Sequence, residues 1–262
     1  MSRVIAGSGT PEQEWRPWLA SRRWPVLDVD ALARAGRVVV LAAHPDDEVL
    51  GVGGLLRILA DRGVPLAVVW ATDGEASHPD STAITADALR ELRRGEAVRA
   101  LTALGVQVRE STRLCLPDSG VAACTADLVD GITRASGLDE PGTVLIAPWR
   151  YDGHPDHEAC GHAASDLAAA AGAALIEYPI WGWHWAAPGD GRVPWRSARR
   201  VLLPATVAAA KEHAIAEFRT QTVPLGDQPA DAPVLPSDVV TRFTRGEEVV
   251  FTCEQKSGNA NR

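Results

Sequence analysis

His44-Pro45-Asp46-Asp47-Glu48 breaks into an otherwise apolar stretch that runs from Val38 and resumes at Val49. An imidazole and a carboxylate are donors of the kind a hydrolytic zinc site uses. His44 and Asp47 stand three positions apart, so one helical turn brings both to the same side. Pro45 suits the first turn of a helix, where its missing N–H costs nothing, and acids are favoured at a helix N-terminus. The competing structural reading is a helix cap with a solvated acidic run. A second group, His154-Pro155-Asp156-His157, again follows an apolar run, Val144-Leu145-Ile146-Ala147-Pro148. A catalytic zinc takes three protein ligands and keeps one position for water. His157 can supply the third, which makes the set His44, Asp47 and His157, with one zinc ion per chain. His78-Pro79-Asp80-Ser81 repeats the tripeptide, but Ser81 stands where a ligand would be needed, so His78 reads as a loop histidine.

Together with Gly51, Gly53 and Gly54 behind the first motif, these residues resemble the PIG-L/LmbE-like family of zinc-dependent N-deacetylases over about residues 37–221. The resemblance implies the same three ligands, Asp46 as general base and His154 as the histidine on the oxyanion side. Zinc lowers the pKa of bound water toward ~7 and polarises an amide carbonyl. Asp46, adjoining Asp47, can take the water's proton and hand it to the leaving amine. His154 as an imidazolium would steady the oxyanion, and Asp156 would hold that histidine charged, unless Asp156 is a plain turn residue. In mycothiol-type members of the family, an RxGE helix and a DSG loop reach the sugar. Arg93-Arg94-Gly95-Glu96 and Asp118-Ser119-Gly120 match them, which implies Arg93 and Asp118 as substrate contacts. Two positions before His154 those relatives carry a tyrosine; here Asp152 stands there, with Tyr151 one place off. Lys211 and Gln221 resemble the family's C-terminal K…Q pattern, although Arg219-Thr220 replaces the usual His/Ser pair. The implied activity is removal of an N-acetyl group from a small acetamido sugar or glycoconjugate. A metal-dependent amidase acting on another acylated metabolite is the near alternative.

Holding two such motifs together requires a particular set of elements. Residues 37–43 read as a strand buried on both faces, followed by a helix to about Arg62 and a strand over 64–70. A polar loop over 75–87 leads to a helix over 88–104 that stops at Gly105. A strand at 106–114, a helix at 123–135 and a strand at 144–148 precede the second motif. A helix over 157–171, a strand over 174–178, a helix over 204–218 and a strand over 248–253 complete the chain. Such alternation means an α/β fold: a doubly wound, mostly parallel, Rossmann-like sheet with helices on both faces. The metal site then falls at the carboxyl ends of the strands. Residues 1–36 form an arm anchored by Trp15, Trp18 and Trp24, 37–221 the catalytic domain, and 222–262 its C-terminal extension. Trp181, Trp183 and Trp185 alternate as on one face of a strand. Trp185 reads as a wall for a sugar or acyl chain, and Trp181 as core packing.

Gly51-Val52-Gly53-Gly54, with Asp73 downstream, also imitates a dinucleotide fingerprint, so a nucleotide-binding Rossmann-like domain is the second alternative. Against it, the glycines follow the acids rather than the strand end, and the third fingerprint position falls on Leu56. Close helix–sheet packing explains them better. With 262 residues, 46% of them hydrophobic, the chain can bury one ordinary α/β core. A formal charge of −8 argues against nucleic acid and anionic membranes as partners. The expected partner is a small N-acylated molecule, with homo-oligomerisation left open. The first residues contain no apolar signal region and no run approaches ~18 apolar residues, so the expectation is a cytoplasmic protein without membrane insertion. Cys115, Cys124, Cys160 and Cys253 form no CxxC pair and read as reduced thiols. Cys160 has the character of a small buried hydrophobe.

Overall fold

The computed structural model describes Ile5 and residues 7–252. Cys253, and with it the last position of the expected final strand, lies outside the described residues. The strands are β1 (Arg37–Ala42), β2 (Leu66–Trp70), β3 (Glu110–Arg113), β4 (Thr143–Pro148), β5 (Ala174–Tyr178), β6 (Ala198–Leu202) and β7 (Glu247–Thr252). The helices are α1 (Glu12–Ala20), α2 (Val29–Leu32), α3 (Asp47–Asp61), α4 (Ala86–Leu104) and α5 (Thr125–Ser136). Further along come α6 (Pro155–Ala171), α7 (Gly182–Trp185), α8 (Ala205–Ile215), α9 (Arg219–Thr222) and α10 (Ser237–Val240).

One seven-stranded sheet has the order β3-β2-β1-β4-β5-β7-β6. β1 to β5 run parallel, whereas β7 is antiparallel to both β5 and β6. This is the expected doubly wound α/β fold with an antiparallel edge added. β1 shows why its sequence is apolar throughout: Val38, Val40 and Ala42 enter one core with α3 and α4. Val39 and Leu41 enter the other with α5 and α6. No helix among the described residues is long and apolar enough to cross a membrane.

Several elements differ from expectation. β3, at the sheet edge, spans four residues with none fully buried, where a strand over 106–114 was expected. β6 is unanticipated: Ala198-Arg199-Arg200-Val201-Leu202 hides its alternation behind two arginines, yet it pairs with β7 over its full length. The expected 204–218 helix ends at Ile215. The arm contains α1, whose Trp15 is fully buried, 5.0 Å edge-on from Trp183. The Trp15 indole N–H donates to the Trp183 carbonyl at 3.0 Å. Trp18 and Trp24 pack on Trp195 at 4.7 and 5.4 Å. The alternating tryptophans lie at and within the short helix α7 and not on a strand, so Trp183 alone turns fully into the core.

α3 is broken at Val52 (φ −139°, ψ 18°). At the break Lys211 Nζ donates to the Leu50 carbonyl (2.8 Å) and pairs with Glu248 (2.6 Å). Glu248 in turn accepts the amides of Gly54 (2.6 Å) and Leu55 (2.9 Å). A Cβ at Gly51 would run into the Tyr178 ring, and one at Gly54 into Leu203. These glycines therefore serve close packing inside a helix, which leaves no glycine loop to cradle a pyrophosphate.

Candidate active site

The sheet order reverses between β1 and β4, and ligands of open α/β sheets bind outside the carboxyl ends of such strands. His44 to Asp47 leave β1 there, and His154 to His157 follow β4. The second motif places its proline at a helix start, with Pro155 as the first residue of α6, two positions before the expected start. The first does not. α3 begins at Asp47, so Pro45 lies outside it, and Asp46 occupies the cap position at φ 140°. That angle is strained for any residue with a side chain, and such strain concentrates at functional sites.

This turn brings the donors together. His44 Nδ1 lies 3.6 Å from Asp47 Oδ2 and 3.3 Å from His157 Nε2. His157 Nε2 lies 3.4 Å from Asp47 Oδ1. Tetrahedral zinc with ligands at ~2.0–2.2 Å separates its donors by roughly 3.3–3.6 Å. The donor set of two imidazoles and one carboxylate fits that ion in chemistry and in spacing. Each imidazole is also backed by carboxylates on its other nitrogen, the usual way of orienting a ligating histidine. His157 Nδ1 meets Asp152 at 2.9 Å, and His44 Nε2 meets Asp118 at 3.2 Å and Asp156 at 3.3 Å. Asp152 is held by the amides of Ile180, Trp181 and Gly182 at 2.8–2.9 Å.

Asp46 is buried, and burial, opposed chiefly by Arg93, raises its carboxyl to about 7. Asp47 moves the other way: burial favours its neutral form, but His157 and His44 outweigh this and lower it. His154 is pushed down to about 3, first by burial and then by the neighbouring His157 and His44. Its Nδ1 accepts the Asp156 backbone N–H at 3.2 Å, which leaves the ring proton on Nε2. His154 Nδ1 thus accepts an amide, where the expectation had an imidazolium held charged by Asp156. The expected Asp156–His154 pair is corrected, because the Asp156 carboxylate faces His44 and the amides of Ser119 (2.7 Å) and Val121 (3.1 Å).

Arg93 is not a solvated charge on an exposed helix face. It is 3% exposed and donates to the carbonyls of Gly74 (2.8 Å) and Pro45 (2.9 Å) and to Asp46 Oδ2 (2.9 Å). Gly74, at φ +68°, leaves the room that a Cβ would take from the guanidinium. Asp118 accepts the Ala76 amide at 2.8 Å besides facing His44. Both Arg93 and Asp118 line a cavity of about 190 Å³ whose polar floor includes His44, Asp46, Asp47 and His154. Its apolar wall consists of Leu50, Ile180, Trp181, Val234 and Leu235. Trp185 is not part of that wall. Its indole N–H donates to the Asp152 carbonyl (2.6 Å), and its ring stacks on Trp149 under Arg192. The expected roles of Trp181 and Trp185 are therefore exchanged. Tyr151 packs edge-on against Trp149 and His162, outside the cavity lining.

His78 bonds to Ser77 and to the Ala232 carbonyl, also outside the lining. Gln221, by contrast, lines the cavity and donates to Ser77 Oγ at 3.2 Å. Cys115, Cys124 and Cys160 are free thiols, and burial raises that of Cys160 well above its ordinary value. The residues that sequence reasoning missed are Asp152 as the partner of His157, Ser119 at the cavity, and the Val234-Leu235 wall. Asp152 alone carried a signal, an acid five positions before a ligand histidine.

Fold and site together define an α/β protein with a histidine–carboxylate pocket at its topological switch point. The PIG-L family model, described as GlcNAc-PI de-N-acetylase, matches residues 39–168. The chain is 31% identical over 212 residues to 1D-myo-inositol 2-acetamido-2-deoxy-alpha-D-glucopyranoside deacetylase 2 of Saccharopolyspora erythraea, covering 71% of this chain and 73% of that protein. It is 30% identical over 138 residues to diacetylchitobiose deacetylase of Thermococcus kodakarensis, covering 52% of this chain and 50% of that protein. The chain thus spans about half the length of the archaeal relative. In fold it is similar to N,N'-diacetylchitobiose deacetylase from Pyrococcus horikoshii, with a TM-score of 0.55 at 20% identity over 80% of this chain and 79% of that one. The chain belongs to the PIG-L family.

Proposed function

We propose that this protein is a zinc-dependent N-deacetylase that removes the acetyl group from a small acetamido sugar or glycoconjugate. One zinc per chain would be held by His44, Asp47 and His157. The observation that carries this reading is the convergence of His44 Nδ1 and His157 Nε2, 3.3 Å apart, each on one Asp47 oxygen at 3.6 and 3.4 Å, next to the buried and strained Asp46. The deacetylase names of the relatives support the acetamido sugar. When bound, the ion supplies Lewis acidity for the amide oxygen and makes water acidic enough to deprotonate near neutral pH.

The chain's own residues do the rest. Asp46, raised to about 7 by burial, accepts a proton near neutrality and returns it to the leaving amine. His154 donates a hydrogen bond from Nε2–H to the amide oxygen as charge grows there. Arg93 fixes the carboxylate of Asp46 through the 2.9 Å contact, so the base meets the substrate in one orientation. Asp152, Asp118 and Asp156 orient the two ligand imidazoles.

The test is acetate release from diacetylchitobiose and N-acetylglucosaminyl-inositol, before and after chelation and with zinc restored. Activity that disappears with the metal and returns with it, and is lost in His44→Ala, is expected. No acetate from any such sugar, or release indifferent to chelation, overturns the reading.

A further inference from the structure

The cavity is lined by residues of two unlike kinds, polar and apolar, and the C-terminal segment supplies part of the apolar kind. The scissile carbonyl must sit at the polar floor, within reach of Asp46 and His154. Trp181, Val234 and Leu235 line the same cavity and are apolar surface for whatever is attached to the amine. Leu235 is 3% exposed, and its amide donates to the Gln221 carbonyl at 2.8 Å. The segment leading to it is latched to the loop after β2: Ser81 Oγ donates to Asp231 at 2.6 Å, and His78 Nε2 meets the Ala232 carbonyl at 3.1 Å. The apolar rim is therefore formed in advance, and its shaping costs a ligand nothing further.

Charge points the same way. Among the described residues lining the cavity, Arg93 is the one lysine or arginine. Both its terminal nitrogens are engaged, by Gly74, Pro45 and Asp46, and its Nε is buried without a partner. An anionic group on the sugar would lose water against an apolar rim and find no free lysine or arginine to pair with. The cavity, about 190 Å³, is smaller than the ~300–1,000 Å³ of typical ligand sites, so it takes little more than the acetamido sugar. What the sugar carries then meets the rim.

We infer that the substrate is an uncharged acetamido sugar bearing an apolar aglycone, selected by Trp181, Val234 and Leu235. This rests on the deacetylase reading. The test measures amine liberated by the zinc-loaded protein from four probes: N-acetylglucosamine, its hexyl glycoside, its 1-phosphate and N-hexanoylglucosamine. The hexyl glycoside should exceed the free sugar about tenfold or more in kcat/KM, with the 1-phosphate lowest. In Trp181→Ala and in Val234→Ser, compared at equal zinc content, the ratio of hexyl glycoside to free sugar should fall toward one. No amine from any probe overturns the deacetylase reading itself. Turnover with a ratio near one in the unmodified protein, or a 1-phosphate used as well as the glycoside, overturns the inference alone. So does a preference that survives both substitutions. A larger gain from N-hexanoylglucosamine than from the glycoside overturns it too, by putting the rim on the acyl side.

Discussion

Asp46 owes its character to three neighbours in space: the backbone turn at φ 140°, the burial around it, and the Arg93 guanidinium at 2.9 Å. Asp46→Asn keeps the shape and leaves His44, Asp47 and His157 untouched, so zinc content should stay at one per chain. Turnover should fall by ~10²–10⁴, the usual contribution of a general acid–base group. Metal analysis beside steady-state rates checks both halves, and a rate within a few-fold of the unmodified protein would place the base elsewhere. Asp152 makes the complementary case. It touches His157 at 2.9 Å and three backbone amides, so Asp152→Asn should weaken zinc by ~10–100-fold. Competition against a chelator reads that directly, and unchanged affinity would refute the orienting role. Ligand spacing within each motif was legible at this scale. The partners of Arg93 and Asp156 were not, because they come from other elements.

α3 carries Asp47 at its first position and is broken one turn later, and that break is held from outside the helix. Lys211 on α8 and Glu248 on β7 take over the hydrogen bonding of Leu50, Gly54 and Leu55. Burial lowers the Lys211 ammonium, against the pull of Glu248, yet the pair at 2.6 Å remains a buried ion pair. Lys211→Met should therefore cost ~3–5 kcal/mol, the penalty of leaving one buried charge without its partner. Lys211→Met combined with Glu248→Gln should recover part of this, since the neutral side chain can still accept one of the two amides. Urea unfolding of the single and double variants measures the difference. A single variant within ~1 kcal/mol of the unmodified protein would mean that the break is held by packing alone. Apolar periodicity announced α3 and α4 but not this arrangement, and it missed β6, whose signal lies under Arg199 and Arg200.

Across the whole molecule, Asp73 ties three parts of the sheet edge together. It follows β2, is 1% exposed, and receives Arg94 of α4 at 2.6 Å and Arg113 of β3 at 3.0 Å. Burial would raise its carboxyl, but Arg94 and Arg113 outweigh that and hold it below its ordinary value. A carboxyl lowered by folding contributes stability that is fully present above its unfolded pKa of ~3.9 and lost as pH falls through the folded value. Asp73→Asn should thus cost ~1–3 kcal/mol near neutrality. The gap to the unmodified protein should stay constant down to about pH 5 and narrow below about pH 4. Denaturant unfolding across that window tests the sign, and a gap that widens in acid would reverse it.

The sequence by itself determined the class of fold and the two motifs that supply the candidate donors. Runs apolar in every position require a sheet covered on both faces, and two motifs placed behind such runs must meet at the strand ends. Those are consequences of local pattern and of chain direction in a parallel sheet. Only the tertiary structure decided that His154 Nδ1 accepts an amide, that Asp156 serves His44, that Arg93 grips Asp46, and that Trp181 faces the cavity while Trp185 does not. Each of these depends on which way a side chain turns once distant elements have packed. A four-residue helix in place of a strand is enough to exchange two tryptophans, and burial beside two other imidazoles is enough to push a histidine's pKa down.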